Sequence, residues 1–197
     1  MKKCKVCKSP FEPFSSLAVA CSQNCALVHV QNENDKKAAK VKKESRQWVR
    51  VQRDRLKSKG DHTREAQQAF NSYVRARDLG LACASCGSFP DSKYGGSIDC
   101  SHYRSVGSAP HLRFNLHNAA AACVKCNRYL SGNISELRKG LINRIGERKV
   151  LAIECNQGTG KFDIRYLKRV KKVFNKKSKM YNKRYEIGQR AIQRSPA

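Results

Sequence analysis

The sequence contains no long apolar segment that could insert into a membrane. No stretch of its 197 residues approaches the ~18 consecutive apolar residues that a membrane-spanning helix needs. The first residues, MKKCKVCKSPFEPFSSLAVA, start with basic side chains but contain no unbroken apolar segment of signal-peptide length. Neither an amphipathic anchor nor a lipidation signal is present. We therefore expect a cytoplasmic protein without membrane contact, whose thiols stay reduced.

Acidic residues are also scarce. Only 15 Asp and Glu accompany 41 Lys and Arg, which gives a formal net charge of +26. A solubilising surface is one interpretation, but an excess of this size repels itself unless an anionic partner neutralises it. Nucleic acid is such a partner, because each phosphate contact releases condensed counterions. The charge balance therefore predicts a nucleic-acid-binding protein.

Apolar residues make up only 40% of the chain, so a small domain here needs a staple. Ten cysteines could supply it as disulfides or as metal ligands. Eight form paired knuckles, C-x2-C-x13-C-x3-C and C-x2-C-x36-C-x2-C, and with reduced thiols we favour structural zinc in each. The zinc ligands are then Cys4, Cys7, Cys21 and Cys25 in the first set and Cys83, Cys86, Cys123 and Cys126 in the second. Cys100 and Cys155 remain, each interpreted as a small buried hydrophobe.

Charge and periodicity divide the chain into four segments. An N-terminal knuckle (1–30) precedes a basic arm (31–60), for which an exposed helix and a partly disordered linker are both open. A helix with Asp61 or Thr63 as N-cap and Gly80 as stop leads into a central region (61–133). The last segment (134–197) is typical of basic helices, with a break at Gly146.

The chemistry must lie between the two central knuckles, because four thiolates close the coordination sphere of a zinc ion. The glycine pair Gly95–Gly96 predicts a turn, and a short strand follows from Ser97 to Tyr103. A loop then leads to the second knuckle, which is predicted to open into a helix. The order knuckle, β-hairpin, knuckle, helix brings the strand and the helix N-terminus together.

The motifs HYRS, LRFN, CVKCN and SGN, after an N-terminal four-cysteine cluster, resemble the NinG (Rap) recombination proteins of lambda-like phages. The central part resembles an HNH, or ββα-metal, nuclease module. The resemblance implies an α+β fold: a small zinc-stapled, treble-clef-like ββα-metal core with an N-terminal zinc knuckle and basic α-helical flanks. Its signature residues would be His102, Asn118 and Asn127, the last at a position where histidine is frequent in the family.

The resemblance implies an endodeoxyribonuclease that uses Mg²⁺ or Mn²⁺. His102 would deprotonate water, since imidazole titrates near neutral pH. Asn127 would offer an amide oxygen to the ion, with Asp99 as second ligand. On a regular strand Asp99 and His102 point to opposite faces, so this pairing requires a bulge or bend at Cys100–Ser101. Asn118 would brace the loop that orients His102.

The substrate implied by the resemblance is a branched recombination intermediate, such as a D-loop or Holliday-type junction, cut in the cytoplasm of a bacterial host. The basic flanks would grip the duplex arms, and Arg104, Arg113 and Arg128 are candidate phosphate contacts. The symmetry of a four-way junction would suit a homodimer. Two alternatives stay open: a sequence-specific HNH endonuclease, and a zinc-stabilised DNA-binding recombination accessory protein without catalysis.

Overall fold

The computed structural model describes residues 1–89 and 98–194, with side chains through residue 188. The chain forms two compact units, Met1–Lys57 and the part from Ser58 onward. The predicted turn at Gly95–Gly96 and the predicted first strand residue Ser97 lie outside the described residues. Within the described ranges, no helix has the length and apolar content needed to cross a bilayer.

The first unit is a small knuckle followed by a long helix. Strand β1 (Lys2–Lys3) pairs antiparallel with β2 (Pro10–Phe11), and helix α1 spans Gln23–Arg55. Ser22 caps α1, because its hydroxyl accepts a hydrogen bond from the Cys25 backbone N–H at 3.3 Å. No residue of α1 is buried. The basic arm is therefore an exposed helix, which is one of the forms that the sequence left open. This helix begins at Gln23, between the last two cysteines of the N-terminal knuckle.

Helix α2 (Lys59–Arg77) opens the second unit. Its N-cap is Ser58, so the prediction of Asp61 or Thr63 was wrong. Asp61 instead occupies the third helical position of a capping box, where the Ser58 hydroxyl accepts from its N–H and its carboxylate accepts from the Ser58 N–H. The start of α2 was predicted too late in the sequence, because Asp61, the acidic residue of the capping box, was interpreted as the N-cap.

A two-stranded sheet carries the central residues. Strand β3 (Ile98–His102) pairs antiparallel with β4 (Ala119–Cys123), and a 3₁₀ turn (Pro110–Leu112) lies in the connection. Four successive alanines in β4 are small enough to be buried on both faces. After Cys123 the helix that was predicted to open from the second knuckle is a short π-helical turn (Lys125–Tyr129). The positive φ angles of Ser131, Gly132 and Asn133 end it.

Three further helices complete the second unit: α3 (Ile134–Ile145), α4 (Glu147–Glu154) and α5 (Ile164–Arg194). The predicted break at Gly146 is present, since this glycine ends α3 with a φ of 86°. Helix α5 packs along α2, and the rings of Phe70 and Phe174 meet edge to face at 5.1 Å. Residues 1–89 and 98–194 thus form a mixed fold of helix and sheet, with two small sheets.

Candidate functional site

Four cysteines meet where the β3–β4 hairpin joins the rest of the second unit. We call Cys83, Cys86, Cys123 and Cys126 the central cluster; their sulfurs all lie within 4.8 Å of one another. The Cys86 and Cys123 sulfurs are 3.9 Å apart. Four thiolates about 2.3 Å from a tetrahedral zinc would be about 3.8 Å apart, so the central cluster fits zinc.

Donors surround the sulfurs of the central cluster. The Cys123 N–H donates to the Cys83 sulfur at 3.2 Å, and the Asn133 amide donates to the Cys126 sulfur at 3.6 Å. Burial opposes ionisation of Cys86, but the N–H and hydroxyl of Ser88 lower its pKa to about 6. The bonds from Ser88 favour the Cys86 thiolate, the form in which cysteine binds metal, whereas burial raises the pKa of Cys126 to about 12.

The first unit holds the second group of sulfurs. We call Cys4, Cys7, Cys21 and Cys25 the N-terminal cluster, and its sulfurs also lie within 4.8 Å of one another. The Cys7 and Cys21 sulfurs are 3.4 Å apart, and those of Cys21 and Cys25 are 3.7 Å apart. Both predicted cysteine sets therefore form clusters that could each hold a zinc ion.

His102 lies at the end of β3, partly buried against helix α2. Its ring centroid is 5.7 Å from that of Phe70, and its Nε2 is 3.0 Å from the backbone oxygen of Arg113. Since a carbonyl only accepts, Nε2 carries the proton, and Nδ1 has the lone pair. Burial lowers the pKa of His102 below its ordinary value, and the nearby Arg113 charge adds to this. The imidazole is therefore neutral at physiological pH.

Asn118 is fully buried and holds the chain that leaves His102. Its side-chain oxygen accepts from the Arg104 N–H at 2.8 Å, and its amide nitrogen donates to the Arg104 oxygen at 3.0 Å. The same nitrogen donates to the Leu112 oxygen at 3.4 Å. One side chain thus ties both ends of the β3–β4 connection together. Its fixed donors and acceptors suit the bracing role predicted for this residue.

Asp99 forms a second polar group with residues of the π-helical turn. Arg128 donates to both carboxylate oxygens, at 2.7 and 3.1 Å, and the Asn127 amide donates at 3.1 Å. The bond from Arg128 is the main cause of the lowered pKa of Asp99. The structure brings Asp99, Asn127 and Arg128 together, with Asp99 paired to an arginine rather than left open.

The register of β3 separates Asp99 from His102. Every residue from Ile98 to His102 has one partner in β4, so the strand contains no bulge. Asp99 and Ser101 share the face towards the π-helical turn, whereas His102 shares the other face with Cys100, towards α2. The expected bend at Cys100–Ser101 is absent, because the alanines of β4 accept a regular register.

The other two predicted phosphate contacts have protein partners. The Arg104 guanidinium donates to the backbone oxygens of Ile153 and Asn156 at the end of α4, at 3.1 and 2.5 Å. It therefore caps that helix terminus, where a cation is favourable. Arg113 donates to the Gln67 side-chain oxygen at 3.3 Å. Of the three predicted arginines, Arg128 is the most exposed, with 64% of its side chain accessible.

Sequence analysis did not identify one residue that supports the central cluster. Gly140, in the middle of α3, faces the knuckle so closely that a Cβ atom would lie 1.7 Å from the Ala84 backbone oxygen. Only glycine allows this helix to pack on the knuckle. The signal was present, since an isolated glycine inside a helical pattern costs stability and often marks a close approach.

Comparison with known proteins identifies relatives across almost the whole chain. The family described as Bacteriophage Lambda NinG protein matches residues 1–186. Protein ninG of Enterobacteria phage H19B is 35% identical over 189 residues, and protein ninG of Escherichia phage lambda is 34% identical over 191 residues. Protein ninG of Salmonella phage P22 is 32% identical over 191 residues. Each alignment covers 90% of this chain and 92% of the relative.

No solved structure matches the chain. The cysteine spacing and the motifs around His102 had predicted the same family that the comparison of whole sequences finds. The chain belongs to the NinG family of lambda-like phages.

Proposed function

We propose that this protein is a divalent-metal-dependent DNA endonuclease of the HNH, or ββα-metal, type. The observation that carries the proposal is the fully buried Asn118, which ties both ends of the connection that follows His102. Asn118 is a buried polar side chain that fixes one loop. Such an arrangement is expected if the His102 imidazole beside that loop must keep a fixed position. A DNA-binding surface alone does not need it.

His102 is the proposed general base. Its Nδ1 makes no hydrogen bond to the described residues, and the bond from Nε2 to the Arg113 oxygen fixes the ring. A neutral, oriented imidazole can take a proton from the attacking water. Burial helps, because the lowered pKa keeps the base unprotonated through the physiological range.

The face of β3 that carries Asp99 and Ser101 is the proposed cation side. Asp99 has carboxylate oxygens and Asn127 has an amide oxygen, which suit Mg²⁺ or Mn²⁺, although the Asn127 amide has to turn, since its nitrogen donates to Asp99. Such an ion would stabilise the charge that develops on the phosphate and leaving oxygen. Binding it here requires Arg128 to leave Asp99. The exposed guanidinium would then be free to contact a phosphate of the substrate.

The general base on one face of β3 and the cation on the other can act on the same phosphodiester if the DNA lies across the unpaired edge of the strand. Among the described residues β3 pairs only with β4, so its other edge carries no partner strand. Ser101 is next to His102 and lies on the cation side, whereas Asp99 is three residues, or about 10 Å along the strand, from His102. We therefore propose that Ser101, through a water molecule, helps to place the cation close to His102.

Branched recombination intermediates are the proposed substrate, in the cytoplasm of the bacterial host. Exposed lysines and arginines line α1 in the first unit and α5 in the second. Two basic helices on separate units suit a substrate with several duplex arms, because phosphate contacts position DNA without reading its bases. This geometry favours selection by shape over selection by sequence.

The second candidate is a zinc-stabilised DNA-binding protein without catalysis. The pairing of Asp99 with Arg128 supports it, since an arginine occupies the place of the cation. The unbroken register of β3 supports it too, because His102 and Asp99 lie on opposite faces. The two candidates differ in whether His102 affects cleavage separately from DNA affinity.

The test compares His102→Gln and His102→Ala with the parent on matched linear, looped and four-way DNA in Mg²⁺. Both variants should lose about 10²- to 10⁴-fold in cleavage rate, the usual contribution of a general base, with nearly unchanged DNA affinity. His117→Ala is the matched control, since His117 is an exposed histidine in the same connection. Circular dichroism would verify that each variant is folded.

A pH profile gives an independent readout of the same base. The parent rate should fall as the pH drops through the lowered pKa of His102 and stay level above its ordinary value, because only the neutral imidazole accepts a proton. Cleavage by His102→Gln at the parent rate would contradict the catalytic assignment. Absence of cleavage by the folded, zinc-loaded parent on all three substrates would favour the binding protein.

A further inference from the structure

The N-terminal unit has an apolar pocket beside its cysteine cluster. The pocket has a volume of about 470 Å³ and is lined mainly by apolar side chains, among them Phe14, Leu17, Val19, Ala20 and Ala26. Phe14 and Leu17 are 93% and 86% exposed. Large apolar side chains held open at the mouth of a pocket are typical of a binding site for another molecule.

The segment around this pocket is rich in lysine and poor in acidic residues. Residues 1–30 contain four lysines and one acidic residue, Glu12. The Lys2 ammonium donates to the Ser16 backbone oxygen at 2.5 Å, and the Lys5 N–H donates to the Val19 oxygen at 2.9 Å. The Lys2 charge therefore lies against the segment that forms the pocket wall, and the Lys5 backbone is attached to the same segment. The first turn of α1, which also lines the pocket, has no acidic residue.

We propose that this pocket binds an acidic segment with apolar side chains, presented by a partner protein. The apolar side chains of that segment would fill the space between Phe14, Leu17 and Ala26, and its carboxylates would meet the lysines. The pairing uses both properties of the site, the apolar lining and the cationic border. The inference does not depend on the nuclease proposal, since it involves other residues in the other unit.

A second copy of this chain is a poor occupant. The sequence nowhere contains two adjacent acidic residues, and a pair of chains at +26 each would repel. DNA meets the positive charge but not the lining, because aliphatic side chains offer nothing to a phosphate. A foreign acidic and apolar segment is complementary to the site in both respects.

The experiment measures fluorescence anisotropy of a short labelled peptide in which Asp and Leu alternate, titrated with the zinc-loaded full chain. Two control peptides separate the contributions: one has Asn in place of Asp, and the other has Ser in place of Leu. Leu17→Ser removes a pocket side chain. Leu56→Ser is the matched control, because Leu56 is also 86% exposed and belongs to the same unit, outside the pocket.

We expect the Asp–Leu peptide to bind and both control peptides to bind at least tenfold more weakly. Leu17→Ser should weaken binding about tenfold, the loss expected when one apolar side chain leaves a contact, whereas Leu56→Ser should change nothing. Equal binding of the Ser-containing peptide would reduce the effect to general attraction by a basic protein and overturn the proposal. The affinity of Leu17→Ser for single-stranded DNA would be measured in the same way. A loss of DNA affinity with unchanged peptide affinity would also overturn the proposal.

Discussion

The N-terminal cluster and the central cluster present the same four thiols in unlike surroundings. Around the N-terminal cluster the buried apolar residues are only Cys4, Ala18 and Ala20, and the helix that follows buries nothing. The central cluster adjoins a core with large fully buried side chains such as Leu137 and Leu141. The same ligand set therefore has two structural roles.

The difference teaches where each unit gets its stability. Residues 1–22 bury too little apolar surface to offset the entropy of ordering them, so we expect metal binding at the N-terminal cluster to supply their folding free energy. In the second unit α2 and α5 pack through Phe70, Leu167 and Phe174, and no cysteine of the central cluster belongs to that core. There, the cluster attaches the ends of the hairpin to a core that exists already.

The largest predicted effect separates the two clusters by removing one ligand from each. Cys4→Ser should release one zinc and unfold residues 1–22, because apparent binding free energies of structural zinc are about 10–16 kcal/mol. Cys83→Ser should also release one zinc but leave α2 and α5 folded. Zinc content by mass spectrometry and hydrogen exchange by segment would measure both.

The contrast would fail in either of two ways. Retained protection of residues 1–22 in Cys4→Ser would mean that this unit has a source of stability other than the metal. Loss of protection in α2 and α5 of Cys83→Ser would mean that the central cluster is required by the whole second unit. Cys155→Ser is the control, since Cys155 is outside both clusters and is exposed, so its interpretation as a buried hydrophobe was wrong.

The fold was most predictable where periodicity and spacing are local. The cysteine spacings predicted both clusters, and apolar spacing predicted α2, α3 and α5. The start of α2 was misplaced, since Ser58 and Asp61 share one capping box and either can be taken for the cap. The helix predicted to open from the second knuckle is only one short turn, because Ser131 and Asn133 gave no sequence sign of their positive φ angles.

The sequence indicated candidate site residues but not their contacts. His102, Asn118, Asp99 and Asn127 stay predictions as site residues, and the contacts of Asn118 agree with the bracing role expected of it. Whether β3 would bend depended on its partner strand, and a run of alanines fixes neither bulge nor register. Arg128 was expected to face DNA, but long-range pairing with Asp99 is not visible in a sequence.

An intermediate effect should follow from adding one methyl group to α3 where it braces the central cluster. Gly140→Ala would place a Cβ atom 1.7 Å from the Ala84 backbone oxygen, so the helix or the knuckle must move. Overpacking of this kind costs about 1–3 kcal/mol, occasionally more. Gly188→Ala, in α5, has nothing within 4 Å and should stabilise the helix by about 0.5–1 kcal/mol.

Chemical denaturation would give the two free energies of unfolding, and hydrogen exchange would locate the change. We expect opposite signs, with faster exchange around Cys83 in Gly140→Ala only. A stabilised Gly140→Ala would show that α3 does not press on the knuckle. The central cluster would then be as weakly supported by its surroundings as the N-terminal one, and the comparison between the units would lose its basis.

The smallest effects on folding are expected for substitutions in the exposed basic helices α1 and α5. These substitutions test which unit binds DNA. Lys36, Lys40 and Lys43 in α1 have the same i, i+4, i+7 spacing as Lys172, Lys176 and Lys179 in α5, and all six are exposed. Replacing either triplet with Gln should change stability by less than about 0.5 kcal/mol. Deleting the chain after Lys161 is a poorer test, because it would also remove Leu167 and Phe174 from the core.

The salt dependence of DNA binding would measure each triplet separately. Each phosphate contact that is lost reduces the slope of log K against log salt by about 1. We expect a decrease of about 3 for the α5 triplet and about 2 for the α1 triplet, because Lys36 is already paired with Glu33 at 2.8 Å. An unchanged slope for one triplet would assign DNA binding to the other unit. A substrate held by both units would instead require both slopes to decrease, which is the outcome that a branched DNA predicts.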